Sequence, residues 1–366
     1  MKILVLTHSL DIKCGIGRYS FKVTKSLKEK GMELKVLVAQ KSQQQEIVER
    51  ACLTDFFKKR YNLLILIKEV LTVRKELKEA DLVHAFDGFP YAVLVYLANF
   101  GLNKKIFITG IGTYSVQPLH GGLKGWLLKK AYRKAEAIFC ISSFVKTRIL
   151  SFLPKLKNIS VVLMGADFVR IVSASRELRK SPVIISVGAL KRRKGQHLSI
   201  KALVKIKQKI PNIKLKLIGL KESQSYFDEL LKIIKENNLS ENVEFKSGLS
   251  DEDLKQEYNS ADLFLMPSIN MNDNLEGFGL VYLEANAFGL PCIGSKQSGA
   301  VDAILDGETG YLVEAGDTDD IADKVIKVLS DDKLYRKMSE NSLSWIDKFS
   351  WDKTVESYIK AYELQI

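Results

Sequence analysis

The sequence predicts an α/β protein made of two doubly wound domains, each built around a parallel sheet with helices on both faces. Short apolar runs alternate with longer amphipathic segments along the whole chain. Strands that are apolar throughout and separated by helices are typical of parallel sheets covered on both faces. The length of 366 residues also points to two domains, because a single core rarely grows beyond about 250–300 residues.

The first half of the chain supplies the elements of the first domain. Strands are predicted at residues 2–6, 34–39, 82–84, 105–108, 137–141 and 159–163. Helices are predicted at residues 18–30, 61–78 and 123–134. Residues 167–181 are polar and basic between two predicted strands, and we interpret them as the linker between the domains.

The second half repeats the pattern. Strands are predicted at residues 182–187, 214–218, 243–245, 263–266, 291–293 and 310–313. Helices are predicted at residues 196–209, 225–237, 251–259, 280–288, 319–329, 333–349 and 351–364. The domains are therefore predicted at residues 1–168 and 169–345, with a C-terminal helix at 346–366 that packs back on the first domain. Because ligands of open α/β sheets bind beyond the carboxyl ends of the strands, we expect both domains to present those ends to an interdomain cleft.

The composition excludes several classes of protein. A hydrophobic fraction of 46% with 27% charged residues fits a folded globular chain and rules out wholesale disorder. The cysteines lack a C-x-x-C spacing and are expected to be buried in a reducing compartment, without disulfides or a metal: Cys14, Cys52, Cys140 and Cys292. The apolar runs near the start and at residues 62–67 are too short to span a membrane, which needs about 20 residues. We therefore expect a cytoplasmic protein.

The positive charge is concentrated in the first half of the chain. Residues 1–170 hold 29 Lys and Arg against 13 Asp and Glu, whereas residues 171–366 hold 27 against 30. The net charge of +13 thus comes entirely from the first half. This asymmetry suggests that the first half faces something anionic, such as a membrane surface, nucleic acid or an acidic substrate.

Two Gly-containing turns follow predicted strands and precede helices. Gly15 and Gly17 follow the first strand, where a ligand can approach the backbone, although a plain strand-to-helix turn explains them better. The segment 188–195 (GALKRRKG) crowds four cations at the end of a strand just before a helix. Fixed cations and helix N–H groups can hold a diphosphate there, and the alternative is a solvated basic loop.

The most informative segment is residues 268–289 (SINMNDNLEGFGLVYLEANAFG). Glu276 lies in a Gly-rich loop, and Glu284 lies in the helix that follows near Gly279. Carboxylates accept hydrogen bonds from hydroxyl groups, so Glu276 can bind sugar hydroxyls and Glu284 can reach a ribose. The alternative is a capped amphipathic helix with an unrelated Glu.

Together these residues resemble glycosyltransferase family four, a family of retaining enzymes with the GT-B fold. The E-x7-E pattern from Glu276 to Glu284 is the most specific element. Other similar positions are Gly165-Ala166-Asp167, Gly219, Gly248, Ser298-Gly299 and residues 306–310. The resemblance covers nearly the whole chain. It implies a Rossmann-like acceptor-binding domain followed by a Rossmann-like domain that binds a nucleotide sugar.

The resemblance also implies roles for individual residues. Lys194 matches the lysine that binds the donor diphosphate, Glu276 the glutamate at the donor sugar, and Glu284 the glutamate at the ribose. The remaining donor-side positions are Gly15 and Gly17 in a loop that closes on the donor, Leu249 at the base, and the backbone of Phe278, Gly279 and Leu280.

Two positions depart from the family pattern. Ala189 stands where an arginine usually follows Gly188, and we hypothesise that Arg192 or Arg193 replaces that charge. Ile111 stands where a histidine usually contacts the donor sugar. His120 lies a few residues further on and is the candidate to replace that histidine, although a loop histidine is more often simply exposed. Thr113, Tyr114 and His120 are the predicted acceptor-side residues.

The implied reaction is transfer of a hexose from a nucleotide-diphosphate sugar to an acceptor hydroxyl in polysaccharide, lipopolysaccharide or glycolipid synthesis. The leaving diphosphate gains negative charge, so preorganised cations and N–H groups supply catalysis. Glu276, Lys194 and Arg193 are the predicted catalytic residues, and no metal or other cofactor is expected. The acidic residues 251–253 sit at a predicted helix start, where capping and the helix dipole favour them, so we interpret them as structural.

Two segments of the basic half mix apolar residues with clustered cations. Residues 56–78 and 121–134, the latter with Trp126, can lie in a membrane interface with their basic side chains near anionic lipid. Two ordinary amphipathic helices explain the pattern equally well. Membrane association would give a peripheral position at the inner face, with a glycan or lipid-linked acceptor.

Three competing functions remain. Nucleic-acid binding would explain the charge, but no nucleic-acid-binding motif accompanies it, so no nucleic-acid partner is expected. An oxidoreductase would explain the first Gly-rich turn, but Ser20 replaces the third glycine and Gln40 the acidic ribose partner. A non-catalytic relative that binds a nucleotide sugar is the alternative that Ala189 and Ile111 keep open.

Overall fold

The chain forms two compact units. The computed structural model describes residues 1–12, 14–42, 47, 49–55, 62–168, 171 and 176–364. Unit 1 comprises Met1–Gly165 and Ser350–Ile366, and unit 2 comprises Ala166–Phe349. The boundaries predicted from the sequence lie within four residues of these. The C-terminal helix therefore belongs to the unit that holds the N-terminus.

Each unit has a parallel sheet in its described part. The strands of unit 1 are β1 (Lys2–Thr7), β2 (Glu33–Val38), β3 (Glu49–Ala51), β4 (Leu82–Phe86), β5 (Lys105–Gly110), β6 (Ala137–Cys140) and β7 (Ile159–Val161). The strands of unit 2 are β8 (Val183–Val187), β9 (Lys214–Ile218), β10 (Val243–Lys246), β11 (Leu263–Met266), β12 (Cys292–Ser295) and β13 (Gly310–Val313). The strand orders are β3-β2-β1-β4-β5-β6-β7 and β10-β9-β8-β11-β12-β13. All named strand pairs are parallel, which confirms the predicted doubly wound α/β class.

Helices connect the strands in both units. Those up to the end of the first sheet are α1 (Gly15–Glu29), α2 (Leu63–Leu77), α3 (Val93–Ala98), α4 (Thr113–Val116), α5 (Gly122–Lys134) and α6 (Ser143–Phe152). Those of unit 2 are α7 (Gln196–Lys209), α8 (Gln224–Glu236), α9 (Asp251–Ser260), α10 (Leu280–Ala287), α11 (Ala300–Ala303), α12 (Thr318–Leu329) and α13 (Asp332–Trp345). The last helix, α14 (Trp351–Glu363), returns to unit 1.

The start of α1 corrects two expectations about its first residues. The helix begins at Gly15, three residues earlier than predicted, so Gly15 and Gly17 form its first turn and not a loop. Cys14 is exposed, not buried, because its Sγ caps the helix by accepting the N–H of Gly17 at 3.3 Å. A Cβ on Gly17 would lie 2.1 Å from the Asp11 carbonyl oxygen, so only glycine fits this close approach.

The other cysteines are also free thiols. Cys140 and Cys292 are buried as expected, whereas Cys52 is only half-buried. The structure also adds a strand that the sequence did not predict, since β3 reads Glu-Arg-Ala and is an edge strand with little apolar character. Edge strands carry polar residues because one side of their backbone stays unpaired.

A buried polar network fastens α14 to the sheet of unit 1. The His84 ring lies between Tyr362 Oη at 2.5 Å and Thr109 Oγ1 at 2.8 Å. Tyr19 Oη lies 2.8 Å from Tyr358 Oη, also on α14. Burial lowers the pKa of His84 to about 3, so the ring is neutral and can both donate and accept. The predicted packing of the last helix thus involves tyrosine hydroxyl groups as well as apolar contacts.

The predicted linker is only partly within the described chain. Residues 169–170 and 172–175 lie outside it, as do residues 56–61 of the predicted membrane segment. Arg176, at the end of the linker, donates hydrogen bonds to the carbonyls of Phe288 and Ala261 at 3.2 and 2.7 Å. Residue 176 is therefore already packed as part of unit 2. Among the helices that the structure describes, none is long and apolar enough to cross a membrane.

Candidate active site

Two loops of unit 2 meet at the carboxyl ends of the neighbouring strands β8 and β11. The Ile269 N–H donates to the Arg193 carbonyl at 2.8 Å and joins the loops directly. A Cβ on Gly195 would lie 2.1 Å from the Pro267 carbonyl oxygen, so glycine permits this contact. The edge of the sheet where ligands bind in doubly wound folds thus carries both segments that the sequence singled out.

An ion-pair cluster lies where the loops meet. Glu276 accepts the Lys194 ammonium at 2.5 Å and the Arg193 guanidinium at 2.8 Å. All three side chains are mostly buried. Burial opposes ionisation of Glu276, but the two cations outweigh it and hold its pKa at about 2. The structure therefore brings together the three predicted catalytic residues, with one more positive than negative charge.

The other two cations of the basic loop point elsewhere. Lys191 pairs with Glu222 at 2.8 Å. Arg192 pairs with Glu229 of α8, with its guanidinium 5.6 Å above the Tyr226 ring. Residues 192–194 form one 3-10 turn, in which successive side chains point about 120° apart. Arg193, and not Arg192, is thus the arginine that shares Glu276 with Lys194. This placement favours Arg193 as the replacement for the missing arginine, and the role of Arg192 stays a prediction.

Glu284 occupies a separate place on α10. It is the fifth residue of the helix and is buried. The Tyr258 hydroxyl of α9 donates to its Oε2 at 2.9 Å. The Tyr258 ring stacks on Phe288, with centroids 5.4 Å apart. The hydrogen bond from Tyr258 fixes the orientation of the Glu284 carboxylate. The sequence did not indicate this role, because nothing in the local pattern around Tyr258 marks it.

The loop before α10 is held close to the backbone around Gly299. The Gly299 N–H donates to the Glu276 carbonyl at 2.9 Å, and a Cβ on Gly299 would lie 2.2 Å from the Gly277 carbonyl oxygen. The side chain of Phe278 is buried, so the backbone is what this residue can offer to a ligand. Gly279 has φ of 85° and no side chain caps α10, which begins at Leu280. Leu249 follows β10 and is half-buried. Because β9 lies between β10 and β8, Leu249 follows a strand that is two positions away from the one that precedes the basic loop.

The predicted acceptor-side residues lie in unit 1, after β5. Thr113 and Tyr114 begin the short helix α4 and are half-buried. His120 ends the following 3-10 turn, is exposed, and packs edge-on against Phe152 at 4.8 Å. Ile111 is buried. The structure thus groups Thr113 with Tyr114 and leaves His120 on the surface against α6.

Two further polar residues follow strands of unit 1 directly and were missed. His8 follows β1 and lies 3.3 Å from the Tyr91 hydroxyl. Asp87 follows β4 and is buried. A polar residue directly after the carboxyl end of a parallel strand, where ligands of such sheets bind, is the sequence signal that could have identified both.

The acidic triplet at 251–253 lies in the first turn of α9, which supports its structural interpretation. The Ser250 hydroxyl accepts the Asp253 N–H, and the Asp253 carboxylate accepts the Ser250 N–H, so the pair forms a capping box at the start of α9. Within the described ranges, no group of three or more His, Cys, Asp or Glu side chains is arranged to hold a metal ion.

Comparison with known families covers almost the entire chain. Residues 14–170 match the model for Glycosyltransferase Family 4, and residues 170–345 match the model for Glycosyl transferases group 1. The two models meet near the boundary between unit 1 and unit 2.

Individual relatives agree with the family models. The chain is 28% identical over 256 residues to the GDP-mannose-dependent alpha-(1-6)-phosphatidylinositol monomannoside mannosyltransferase of Mycolicibacterium smegmatis, covering 64% of this chain and 66% of the relative. It is 27% identical over 315 residues to the N-acetyl-alpha-D-glucosaminyl L-malate synthase of Bacillus anthracis, covering 82% and 79%. The match to the mannosyltransferase thus spans just under two thirds of that protein's length.

Solved structures of low sequence identity share the fold. Anabaena Alr3699/HepE in complex with UDP superposes with a TM-score of 0.82 at 20% identity, over 99% of this chain and all of that chain. The lipopolysaccharide outer core galactosyltransferase WaaB in its apo form gives a TM-score of 0.77 at 19% identity, over the full length of both chains. With two parallel-sheet domains of the GT-B type and both halves matched, the chain belongs to the family of group 1, family 4 glycosyltransferases.

Proposed function

We propose that the protein is a retaining hexosyltransferase that moves a hexose from a nucleoside-diphosphate sugar to an acceptor hydroxyl. The observation that carries this proposal is the convergence of Lys194 and Arg193 on Glu276 beside the start of α10. A cluster with excess positive charge next to uncapped helix N–H groups suits a diphosphate. The adjoining carboxylate suits the hydroxyl groups of the sugar.

Each residue then has a defined role. Lys194 and Arg193 neutralise the charge that develops on the leaving diphosphate, which is where preorganised electrostatics contributes most. Glu276 accepts hydrogen bonds from the transferred sugar. Glu284 of the E-x7-E pair accepts them from the ribose, in the orientation that Tyr258 imposes.

The chemical step breaks the bond between the anomeric carbon and the phosphate oxygen and forms a bond to the acceptor oxygen on the same face. The acceptor proton passes to an oxygen of the departing diphosphate. This route retains the anomeric configuration. Because two side-chain cations already serve the diphosphate, we propose that no metal ion is required, and transfer that survives excess chelator supports this point.

We also propose that unit 1 rests on an anionic membrane at the inner face and acts on a lipid-linked or glycan acceptor there. An exposed apolar ridge runs along α2, with exposed fractions of 50–78% at Leu63, Leu64, Ile67 and Leu71. On α5, Trp126 is 55% exposed, and the Lys130 ammonium lies 5.7 Å from its ring centroid. Both helices pack on α3. Apolar side chains flanked by cations suit an interface with anionic lipid.

Vesicle flotation tests this membrane proposal. The protein should float with phosphatidylglycerol vesicles more than with phosphatidylcholine vesicles, and salt should weaken the difference. The double variant Leu64→Gln, Trp126→Ser should lose binding. The control Leu220→Gln removes a leucine of unit 2, in the acidic half of the chain, whose exposed fraction of 67% lies between those of Leu64 and Trp126. This control should keep vesicle binding. Equal flotation with both lipids would remove the proposal.

A panel of UDP-, GDP- and ADP-hexoses tests the catalytic proposal. We expect the hexoses of one nucleotide to be hydrolysed slowly when no acceptor is present. They should be consumed rapidly when an acceptor is added. The alternative function is a non-catalytic nucleotide-sugar-binding protein, favoured by the buried Ile111 at a position where the family has a histidine. Tight binding of a donor without any turnover would select that alternative.

A further inference from the structure

Asp87 adopts a backbone conformation that is unfavourable for any residue with a side chain. It follows β4 with φ of 92° and ψ of 158°. This region of backbone space is essentially reserved for glycine, and residues held there cluster at functional sites. The chain nevertheless places an aspartate at this position, between the end of β4 and Gly88.

The carboxylate of Asp87 is buried, with 2% of the residue exposed. Burial raises its pKa to about 6, against the opposing effect of its hydrogen bonds. The charged or titratable groups that face it are Tyr91 and Tyr132, whose own pKa values burial raises well above their usual range. None of the groups that shift the pKa of Asp87 is a cation. Among the residues that the structure describes, no cation forms an ion pair with this carboxylate, so its ionised form destabilises the folded state.

The hydrogen bonds of the Asp87 carboxylate join it to residues 111–115 and to its own turn. The carboxylate accepts the Gly88 N–H at 2.8 Å, the Ser115 hydroxyl, and the backbone N–H of Ile111. The Tyr132 hydroxyl donates to the Ser115 carbonyl at 2.8 Å from the other side. The carboxylate thus forms hydrogen bonds with both ends of residues 111–115. This segment contains Thr113 and Tyr114.

We propose that Asp87 is a positioning residue for the acceptor, which holds residues 111–115 so that Thr113 and Tyr114 face the incoming hydroxyl compound. This inference rests on the proposed transferase function. Asp87 itself is enclosed, so it acts through these two residues and does not touch the substrate. A buried carboxylate on a strained backbone that was merely structural would lower stability without a compensating role.

The test compares stability with transfer in the same variants. Asp87→Asn keeps the size of the side chain and removes its charge, and Asp87→Gly relieves the backbone conformation. The penalty of the buried charge develops as pH rises from 3.8 to about 6 and is complete above it. At a pH above this range we expect neither variant to unfold at lower urea than the wild type. We expect kcat over KM for the acceptor to fall about tenfold or more, since small displacements of reacting groups carry large kinetic costs.

Two additional variants and one binding measurement separate the interpretations. Ser115→Ala should show a smaller acceptor defect of the same kind. Asn103→Gly is the matched control, because Asn103 also has positive φ (53°) but is exposed in a loop of unit 1. It should leave transfer unchanged. Nucleotide affinity should stay within about twofold in all four variants, because Lys194 and Glu284 lie in unit 2.

Three results would overturn the inference. Wild-type acceptor kinetics in Asp87→Asn would remove it and leave the proposed function intact. Parallel loss of stability and transfer in Asp87→Asn and Asp87→Gly would assign Asp87 a purely structural role. A wild-type protein that binds donors but never transfers would remove the proposed function and this inference together.

Discussion

Glu276 neutralises the cations that a diphosphate would otherwise meet. Its carboxylate forms ion pairs with both Lys194 and Arg193. Because its pKa is lowered to about 2 from 4.5, these ion pairs stabilise the protein fully above pH 4.5 and are lost as pH falls towards 2. Near neutral pH the carboxylate competes with any phosphate for the same two cations.

Glu276→Gln should therefore separate binding from transfer. Free nucleoside diphosphate should bind more tightly, because the competing negative charge is gone. Transfer should fall about 100-fold, because the sugar loses its charged acceptor in the transition state. Titration calorimetry measures the first quantity and initial rates the second. Weaker nucleotide binding together with weaker transfer would contradict this interpretation.

A variant of Tyr258 gives a second test at the residue scale, which separates the contribution of one hydrogen bond from that of ring packing. Tyr258→Phe removes the hydrogen bond to Glu284 while keeping the ring that stacks on Phe288. Nucleotide affinity should fall about three- to tenfold, since a typical hydrogen bond contributes about 0.5–1.5 kcal/mol. The loss should vanish for the 2′,3′-dideoxynucleotide, which has no ribose hydroxyl groups. Tyr311→Phe is the control, because Tyr311 lies in β13 of the same unit and carries the same hydroxyl. An equal loss for both nucleotides would indicate a structural effect instead.

At the element scale, the sequence was most informative where the apolar pattern was continuous. The strands at 214–218, 263–266 and 310–313 and the helix at 196–209 were predicted with the observed bounds. The pattern failed at β3, where two of the three residues are charged, and at the start of α1, where a cysteine caps the helix. Thiol capping is rare enough that periodicity and ordinary capping residues do not indicate it.

The cap of α9 gives a prediction about an element. Ser250→Ala removes one side of the capping box and should lower the free energy of unfolding by about 1 kcal/mol without changing transfer. Glu252→Ala, in the same first turn but outside the box, should have a smaller effect on stability. Urea denaturation with a parallel rate assay measures both. A loss of transfer in Ser250→Ala would show that the acidic triplet has a role beyond capping.

The residues of the candidate site could be predicted from the sequence, but the ion pairs that they form could not. Sequence motifs identified the four cations after β8 and both carboxylates of residues 276–284. Which cations meet Glu276 depends on the 3-10 turn at 192–194 and on the partners that α8 offers, and neither is visible in a linear pattern. Tyr258 approaches Glu284 from 26 positions away in the chain, through tertiary packing alone.

At the scale of the whole molecule, charge and chemistry are divided between the halves. The surplus of positive charge lies in residues 1–170, whereas the cations of the candidate donor site lie in the half with a net negative charge. The donor site therefore does not account for the basic character of the protein. This division is what we expect if unit 1 faces an anionic surface or acceptor while unit 2 holds the nucleotide sugar.

The central claim is that Lys194 stabilises the leaving diphosphate, and the most direct measurement compares it with its neighbour Lys191. With the donor identified from the nucleotide-sugar panel, Lys194→Ala should lower kcat about 100-fold or more. Lys191→Ala removes the same charge from the same loop but breaks a pair with Glu222, and should stay within about twofold of the wild type. Arg193 still neutralises Glu276 in Lys194→Ala, and circular dichroism checks that the fold persists. Equal rates in the two folded variants would contradict the account.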